Sequence, residues 1–153
     1  DMLPVDSYVS KAKATGTQIK EWLEKELNNV FAKNAAERFG GWVVKFKGME
    51  ITFNAFGEKG KRVQSVMIGD MPLDPERLYT ISACERDGDP ADMLCRIKGV
   101  KDAVNTPFTL HEVMRSYLKA NSPVTPTPPM AAKILDGPQS LLTQVTGVNY
   151  SFR

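Results

Sequence analysis

The stretch TGTQIKEWLEKELNNVF, residues 15–31, and the stretch WVVKFKGMEITF, residues 42–53, follow one another with different hydrophobic periods. In the first, Ile19, Trp22, Leu23, Leu27, Val30 and Phe31 recur at helical spacing, which gives a helix one apolar face. Thr15 and Gln18 stand at the spacing of a capping box, in which Thr15 accepts from the Gln18 amide while Gln18 reaches back. The helix is expected to run to about Phe39 and stop at Gly40-Gly41, where a glycine can take the left-handed terminating conformation. In the second stretch the period drops to two: Val43, Lys45 and Lys47 interleave with Val44 and Phe46, then Met49, Ile51 and Phe53 with Glu50 and Thr52, as in strands.

Beyond these, Gly57–Lys61 reads as a turn and Arg62–Ile68 as a further strand. Gly69-Asp70 suits a tight hairpin from which Met71-Pro72-Leu73 returns. After a turn at residues 73–77, Leu78–Cys84 is apolar and β-rich enough to be expected as a central strand. Its exit, Glu85-Arg86-Asp87-Gly88-Asp89-Pro90, is the kind of charged loop behind a buried strand that carries binding residues. Thr109-Leu110-His111-Glu112 is a second capping box, followed by an apolar stripe of Val113, Met114, Tyr117 and Leu118. Asn121-Ser122-Pro123 ends that helix. Pro123, Pro126, Pro128 and Pro129 then form a stiff connection, and the tail holds a strand candidate at Val148–Phe152. The sum is an α+β fold, a mixed β-sheet core with two main helices. The expected division is one domain over 1–126, with 127–153 a proline-rich connection and extension packing on it.

Composition narrows the partners. An apolar content of 42% over 153 residues suits a single domain with a real core. Lys plus Arg number 20 against 18 Asp plus Glu, interspersed, so no basic face of nucleic-acid type stands out. No apolar run approaches the ~20 residues of a membrane span, and Asp1–Asp6 is not a signal peptide. The chain begins without an initiating Met in an extended-looking segment, and is expected to be part of a longer polypeptide. Cys84 and Cys95 are compatible with a disulfide or with two buried thiols, the second being the ordinary role of a small apolar residue.

The chemistry-bearing patterns are mostly absent. There is no phosphate loop, no His-rich cluster and no Ser/His/Asp set favoured by spacing. Asp87, Asp89 and Asp92 lack the central Gly and terminal Glu of a calcium loop, so a solvated acidic loop is expected. The single histidine, His111, falls on the first turn of a helix, where the positive dipole end disfavours its protonation. No catalytic residue and no metal ligand is assigned.

Several separated segments, in order, resemble the C-terminal domain of the 5′-nucleotidase family of metallophosphoesterases. They are Leu3-Pro4 ahead of a strand, Thr15-Gly16-x-x-Ile19-Lys20-x-x-Leu23-Glu24, Gly48-Met49 before Glu50–Phe53, and Gly60-x-Arg62-Val63-x-Ser65-Val66. Pro72-Leu73-Asp74-Pro75-x-x-x-Tyr79 and Tyr117-Leu118-Lys119-Ala120-x-Ser122-Pro123 complete the set. The resemblance spans Leu3 to about Pro126 and implies a two-domain hydrolase. An N-terminal domain would hold two divalent metal ions and activate the water, while this domain would grip the substrate away from the phosphate. It implies no cofactor in this chain, inactivity of the chain alone, a small-molecule ester substrate, and a periplasmic or extracellular location.

Nucleotide-cleaving members sandwich the base between two aromatic rings. Here the residue after Leu3-Pro4 is Val5, and the loop from Cys84 to Pro90 contains no aromatic. Stacking is worth ~1–3 kcal/mol per base, so a purine substrate is disfavoured and a small polar or anionic one preferred. The substrate contacts are expected at Val5, Asp6, Glu85, Arg86, Asp87 and Asp89; of the family's polar contacts the resemblance carries over only the acidic residue of a Gly-Asp pair, onto Asp89 after Gly88 or, with a shift of alignment, onto Asp87. Arg86 is suited to an anionic group, and the acidic residues to hydroxyl donors. The alternative is a non-enzymatic module on the same fold that binds a ligand or partner at a cell surface.

Overall fold

The computed structural model describes residues 6–39, 46–83, 88–125 and 131–136. In chain order the elements are β1 (Tyr8–Thr15), α1 (Gly16–Phe31), a single 3-10 turn (Ala35–Glu37), β2 (Met49–Phe53), β3 (Val63–Ile68), β4 (Met71–Pro72), β5 (Leu78–Ala83), β6 (Met93–Leu94), β7 (Ile97–Lys98), β8 (Lys101–Thr109), α2 (Leu110–Asn121) and β9 (Ala132–Ile134). With two helices and several sheets among the described residues, this is the α+β fold expected. The chain divides into two compact units that interleave along the sequence, the first formed by 1–23 with 72–129 and the second by 24–71 with 130–153.

The first unit is built on a three-stranded antiparallel sheet in the order β5-β1-β8. Central β1 alternates strictly: Ser10, Ala12 and Ala14 are buried while Lys11 and Lys13 face water. The β5 partner runs in continuous register from Ser10 opposite Ala83 to Thr15 opposite Leu78. The β8 side is irregular, with shifts between Tyr8 and Ser10 and between Lys11 and Lys13. At the second shift Asp102 takes a φ of 53°, and its carboxylate meets Lys13 Nζ at 2.9 Å. A two-residue turn joins β6 to β7, with Cys95 and Arg96 both at positive φ, and Leu94, Ile97 and Val100 are buried around it.

α1 starts as its sequence requires. Gln18 N–H donates to Thr15 Oγ1 at 3.2 Å and Thr15 N–H to Gln18 Oε1 at 2.7 Å, closing the capping box. The Gln18 amide also donates to the carbonyls of Lys98 and Gly99, so one side chain both starts the helix and holds the end of β7. Gly16 lies against the turn after β4: its N–H donates to the Arg77 carbonyl, and Thr17 N–H to that of Pro75. A Cβ on Gly16 would stand 2.1 Å from the Asp74 carbonyl oxygen, so no other residue fits.

The second unit contains a four-stranded sheet in the order β4-β3-β2-β9, antiparallel except for the parallel pair β2–β9. Ile51, Phe53, Val63 and Val66 supply its buried face, with Leu27 buried on the helix and the Phe31 and Phe53 rings 5.8 Å apart. Buried Glu24 accepts the Arg62 and Val63 amides at 3.0 and 2.7 Å, fixing where β3 begins. Buried Arg62 in turn donates to the carbonyls of Ala55 and Gly57. Asp136 closes the sheet edge by accepting the Ala55 and Phe56 amides at 2.6 and 2.9 Å.

Four expectations change. α1 ends at Phe31, not near Phe39: the Asn34 side chain accepts the Ala36 amide and sets up the 3-10 turn, while Arg38 Nε donates to the Ala32 carbonyl. Phe46 and Lys47 are not in a strand, because Gly48, at φ 85°, breaks the extended run before Met49. β5 is an edge strand rather than a central one; none of its residues is fully buried, and the centre belongs to β1. Strands β6 to β9 were not anticipated. Gly40-Gly41, residues 42–45, Cys84 and Val148–Phe152 lie outside the described residues, and with Cys84 the question of its pairing with Cys95.

Candidate functional site

Because β1 runs antiparallel to both neighbours, three chain segments meet at one end of the sheet. Ser10 pairs with Ala83 and Tyr8 with Thr109, so the entry to β1, the exit of β5 and the junction of β8 with α2 share that end. The sequence-predicted residues flank these same segments. Asp6 lies just before β1, and Asp89 follows the loop that leaves β5. Val5, Glu85, Arg86 and Asp87 lie outside the described residues.

Asp6 is engaged at the first turn of α2. His111 N–H donates to Asp6 Oδ1 at 2.9 Å, the His111 Nδ1 atom is 3.5 Å from Oδ2, and the Leu110 amide donates to the Ser7 carbonyl at 2.9 Å. The amide hydrogen bond from His111 holds the Asp6 carboxyl below its ordinary value of 3.8. A Thr109 hydroxyl bond and the charges of His111 and Arg115 add to this, and partial desolvation opposes it. A carboxylate at a helix N-terminus is favoured by the same exposed amides. Thr109 and Glu112 satisfy two more groups of that turn through a reciprocal capping box, at 3.3 and 2.8 Å. Asp6 therefore ties the chain entering β1 to α2. His111, expected as an ordinary exposed imidazole, is half-buried beside it. No local signal could have joined residues 105 positions apart.

Asp89 presents the opposite case. It is half-buried, and its Oδ2 is enclosed without a hydrogen-bond partner. A carboxylate oxygen in that state has unused acceptor capacity, which suits a hydroxyl or amino donor arriving from outside. Next to it Gly88 takes a φ of 88°, a backbone turn that a side chain would strain. Within the sheet end, Ser10 Oγ donates to Asn105 Oδ1 at 2.7 Å and Ser82 Oγ to the Ser10 carbonyl at 3.0 Å, cross-links that brace all three strands. Among the described residues no three His, Cys, Asp or Glu side chains come together as a metal site.

The far end of β5 is scaffold. The Asp74 amide donates to Tyr79 Oη at 2.9 Å, Asp74 Oδ1 accepts the Glu76 amide at 3.0 Å, and the Arg77 guanidinium lies 5.4 Å over the Tyr79 ring. The Pro72-Leu73-Asp74-Pro75-x-x-x-Tyr79 pattern thus folds one turn and seats it on Gly16.

The model of the 5′-nucleotidase C-terminal domain family matches residues 1–84. No curated protein matches. Among solved structures, a sulfate thiohydrolase of Thermus thermophilus in complex with glycerol is similar at 26% identity and TM-score 0.70, over 88% of this chain and 23% of that one. A 5′-nucleotidase precursor, also of Thermus thermophilus, shares the fold at 21% identity and TM-score 0.58, over 86% of this chain and 26% of that one. The NAD nucleotidase of Haemophilus influenzae does so at 16% identity and TM-score 0.61, over 86% of this chain and 25% of that one. The chain spans about a quarter of the length of each.

Proposed function

The chain belongs to the 5′-nucleotidase C-terminal domain family, and from that premise we propose that it selects the substrate of a two-metal ester hydrolase whose chemistry is performed by an N-terminal metallophosphoesterase domain of the same polypeptide. The observation that carries this reading is the convergence at one sheet end of the β1 entry, the β5 exit and the α2 N-terminus; Asp89, which follows the β5 exit in sequence, adds an enclosed carboxylate oxygen without a hydrogen-bond partner. The paired divalent ions, held by the upstream domain, would clamp the attacking and leaving oxygens. This domain would bind and orient the remainder of the substrate, with Asp89 taking a hydroxyl or amino donor and Arg86 an anionic group. Val5, Glu85 and Asp87 would contribute further contacts to the substrate, and Asp6 holds the chain entering β1 to α2.

The preferred substrate is a small anionic ester of phosphorus or sulfur rather than a nucleotide. Two observations support this: neither aromatic position of the base clamp is aromatic here, and a sulfate thiohydrolase is among the similar structures. A periplasmic or extracellular location accompanies the proposal, in keeping with the family; among the described residues no helix is long and apolar enough to cross a membrane. The test is to assay the polypeptide joined to its upstream domain, loaded with manganese or zinc, against nucleotides, simple phosphate esters and sulfur-linked sulfate esters. Hydrolysis of the small esters in preference to nucleotides is expected. No cleavage of any ester with both metal positions filled would overturn the assignment.

A further inference from the structure

Both helices open with a capping box, but the two boxes do not close with the same residue. In α2 the Glu112 carboxylate accepts the Thr109 amide, whereas α1 uses Gln18, and its first turn holds no acidic residue. At a helix N-terminus a carboxylate caps as an amide does and is favoured by the helix dipole besides, so capping alone would select Glu at 18. What Gln adds is a pair of N–H donors on the same side chain as the acceptor oxygen. Both donors are engaged: Gln18 Nε2 donates to the Lys98 carbonyl at 2.8 Å and to the Gly99 carbonyl at 2.9 Å. The fit is close. A Cβ on Gly99 would stand 3.3 Å from Nε2, on a backbone whose φ of 68° side chains rarely adopt.

Those two carbonyls end the β6–β7 hairpin, and the same hairpin anchors the segment that follows Asp89. The Val100 amide donates to the Asp92 carbonyl at 2.9 Å, and the Met93 amide to the Pro90 carbonyl at 2.9 Å, so residues 90–93 turn directly onto the hairpin base. Leu94, Ile97 and Val100 are buried there. Asp89 stands immediately before this turn, with its enclosed Oδ2 unpartnered. We infer that Gln18 is a positioning residue for Asp89: by holding Lys98 and Gly99 at the start of α1 it fixes the hairpin base, and with it the place at which the Asp89 carboxylate receives a donor from the substrate. This rests on the reading that Asp89 is a substrate contact.

The variant Q18E keeps an acceptor for the Thr15 amide and removes both donors, so it separates the hold on the hairpin from the start of the helix. KM and kcat for the hydrolysed ester are measured in the metal-loaded polypeptide that includes the upstream domain, for the parent, Q18E, D89N and the double variant. Amide exchange at Met93 and Val100 is followed in each. Q18E is expected to raise KM about 5-fold with kcat unchanged, as loss of binding contacts alone does. Exchange at Met93 and Val100 should quicken about 10-fold while the middle of α1 keeps its rates. In the D89N background Q18E should raise KM by less than about 2-fold, because a residue that acts through Asp89 has no carboxylate left to place. The full effect of Q18E in that background overturns the inference, as does a parental KM in Q18E or in D89N, each leaving the hydrolase reading standing. No cleavage of any ester by the parent overturns both. Should Q18E fail to fold, G99A disturbs the same contact from the hairpin side, and the same cycle with D89N reads it with the same expected and contrary outcomes.

Discussion

Gly16 has no room for a side chain, and the reason is a carbonyl rather than another side chain that could rotate away. Replacing it with alanine would set a Cβ against the Asp74 oxygen, so the turn at 72–77 or the start of α1 must shift. G16A is expected to cost about 2–4 kcal/mol of unfolding free energy in urea titration, as overpacking at a rigid contact does. A midpoint within error of the parent would contradict the contact. Asp6 makes a prediction in pH. Its carboxyl is held below 3.8 in the folded state by the His111 amide, so the stability it lends is complete above that ordinary value and fades as pH falls through the depressed one. D6N removes the titrating group. Thermal midpoints measured from about pH 5 to about pH 2 should therefore fall less steeply in D6N than in the parent. Parallel curves would mean that the bond to α2 carries no linkage.

At the level of elements, local chemistry was legible and long-range pairing was not. The starts of both helices, the turn at Gly69-Asp70 and the strand Met49–Phe53 all depend on neighbours a few residues away, and each formed where the sequence placed it. β8 was missed because Pro107 and two register shifts leave it no period-two pattern. β9 was missed because it is a strand only through parallel pairing with β2, some eighty residues earlier. The β6–β7 turn uses Cys95 and Arg96 at positive φ in place of the glycine or asparagine that would have announced it. The end of α1 was overestimated because Ala35-Ala36-Glu37 are good helix formers, and Asn34 overrides them. For the site, the Asp6–His111 bond joins residues 105 positions apart and required the fold, while Glu85, Arg86 and Asp87 lie outside the described residues. Within α1, Ile19, Trp22, Leu23 and Leu27 are each 9% exposed or less, so the helix is held by packing. W22A should cost about 3–5 kcal/mol in chemical denaturation, as large-to-small core substitutions do, and a neutral result would refute the buried face.

For the molecule as a whole, affinity and stability should separate. In the polypeptide that includes the upstream domain, R86A is expected to raise KM about 10-fold or more with an unchanged melting temperature, the loss of one charge-assisted contact to an anionic substrate. An unchanged KM would remove Arg86 from the substrate's surroundings. The division of labour proposed for the family also predicts where change is tolerated: the β5 exit loop can be rewritten to alter what is bound, whereas the turn seated on Gly16 cannot.

The parallel strand at Ala132–Ile134 has one more consequence, for synthesis. Ile51 donates to the Ala131 carbonyl and Asp136 receives the Ala55 and Phe56 amides, so the second unit's sheet has its last edge only after residue 136 has left the ribosome tunnel. Translation halted near Thr125 would release a nascent chain with the Ile51 side of β2 open to other strands, a substrate for chaperones and proteases instead of a smaller native protein.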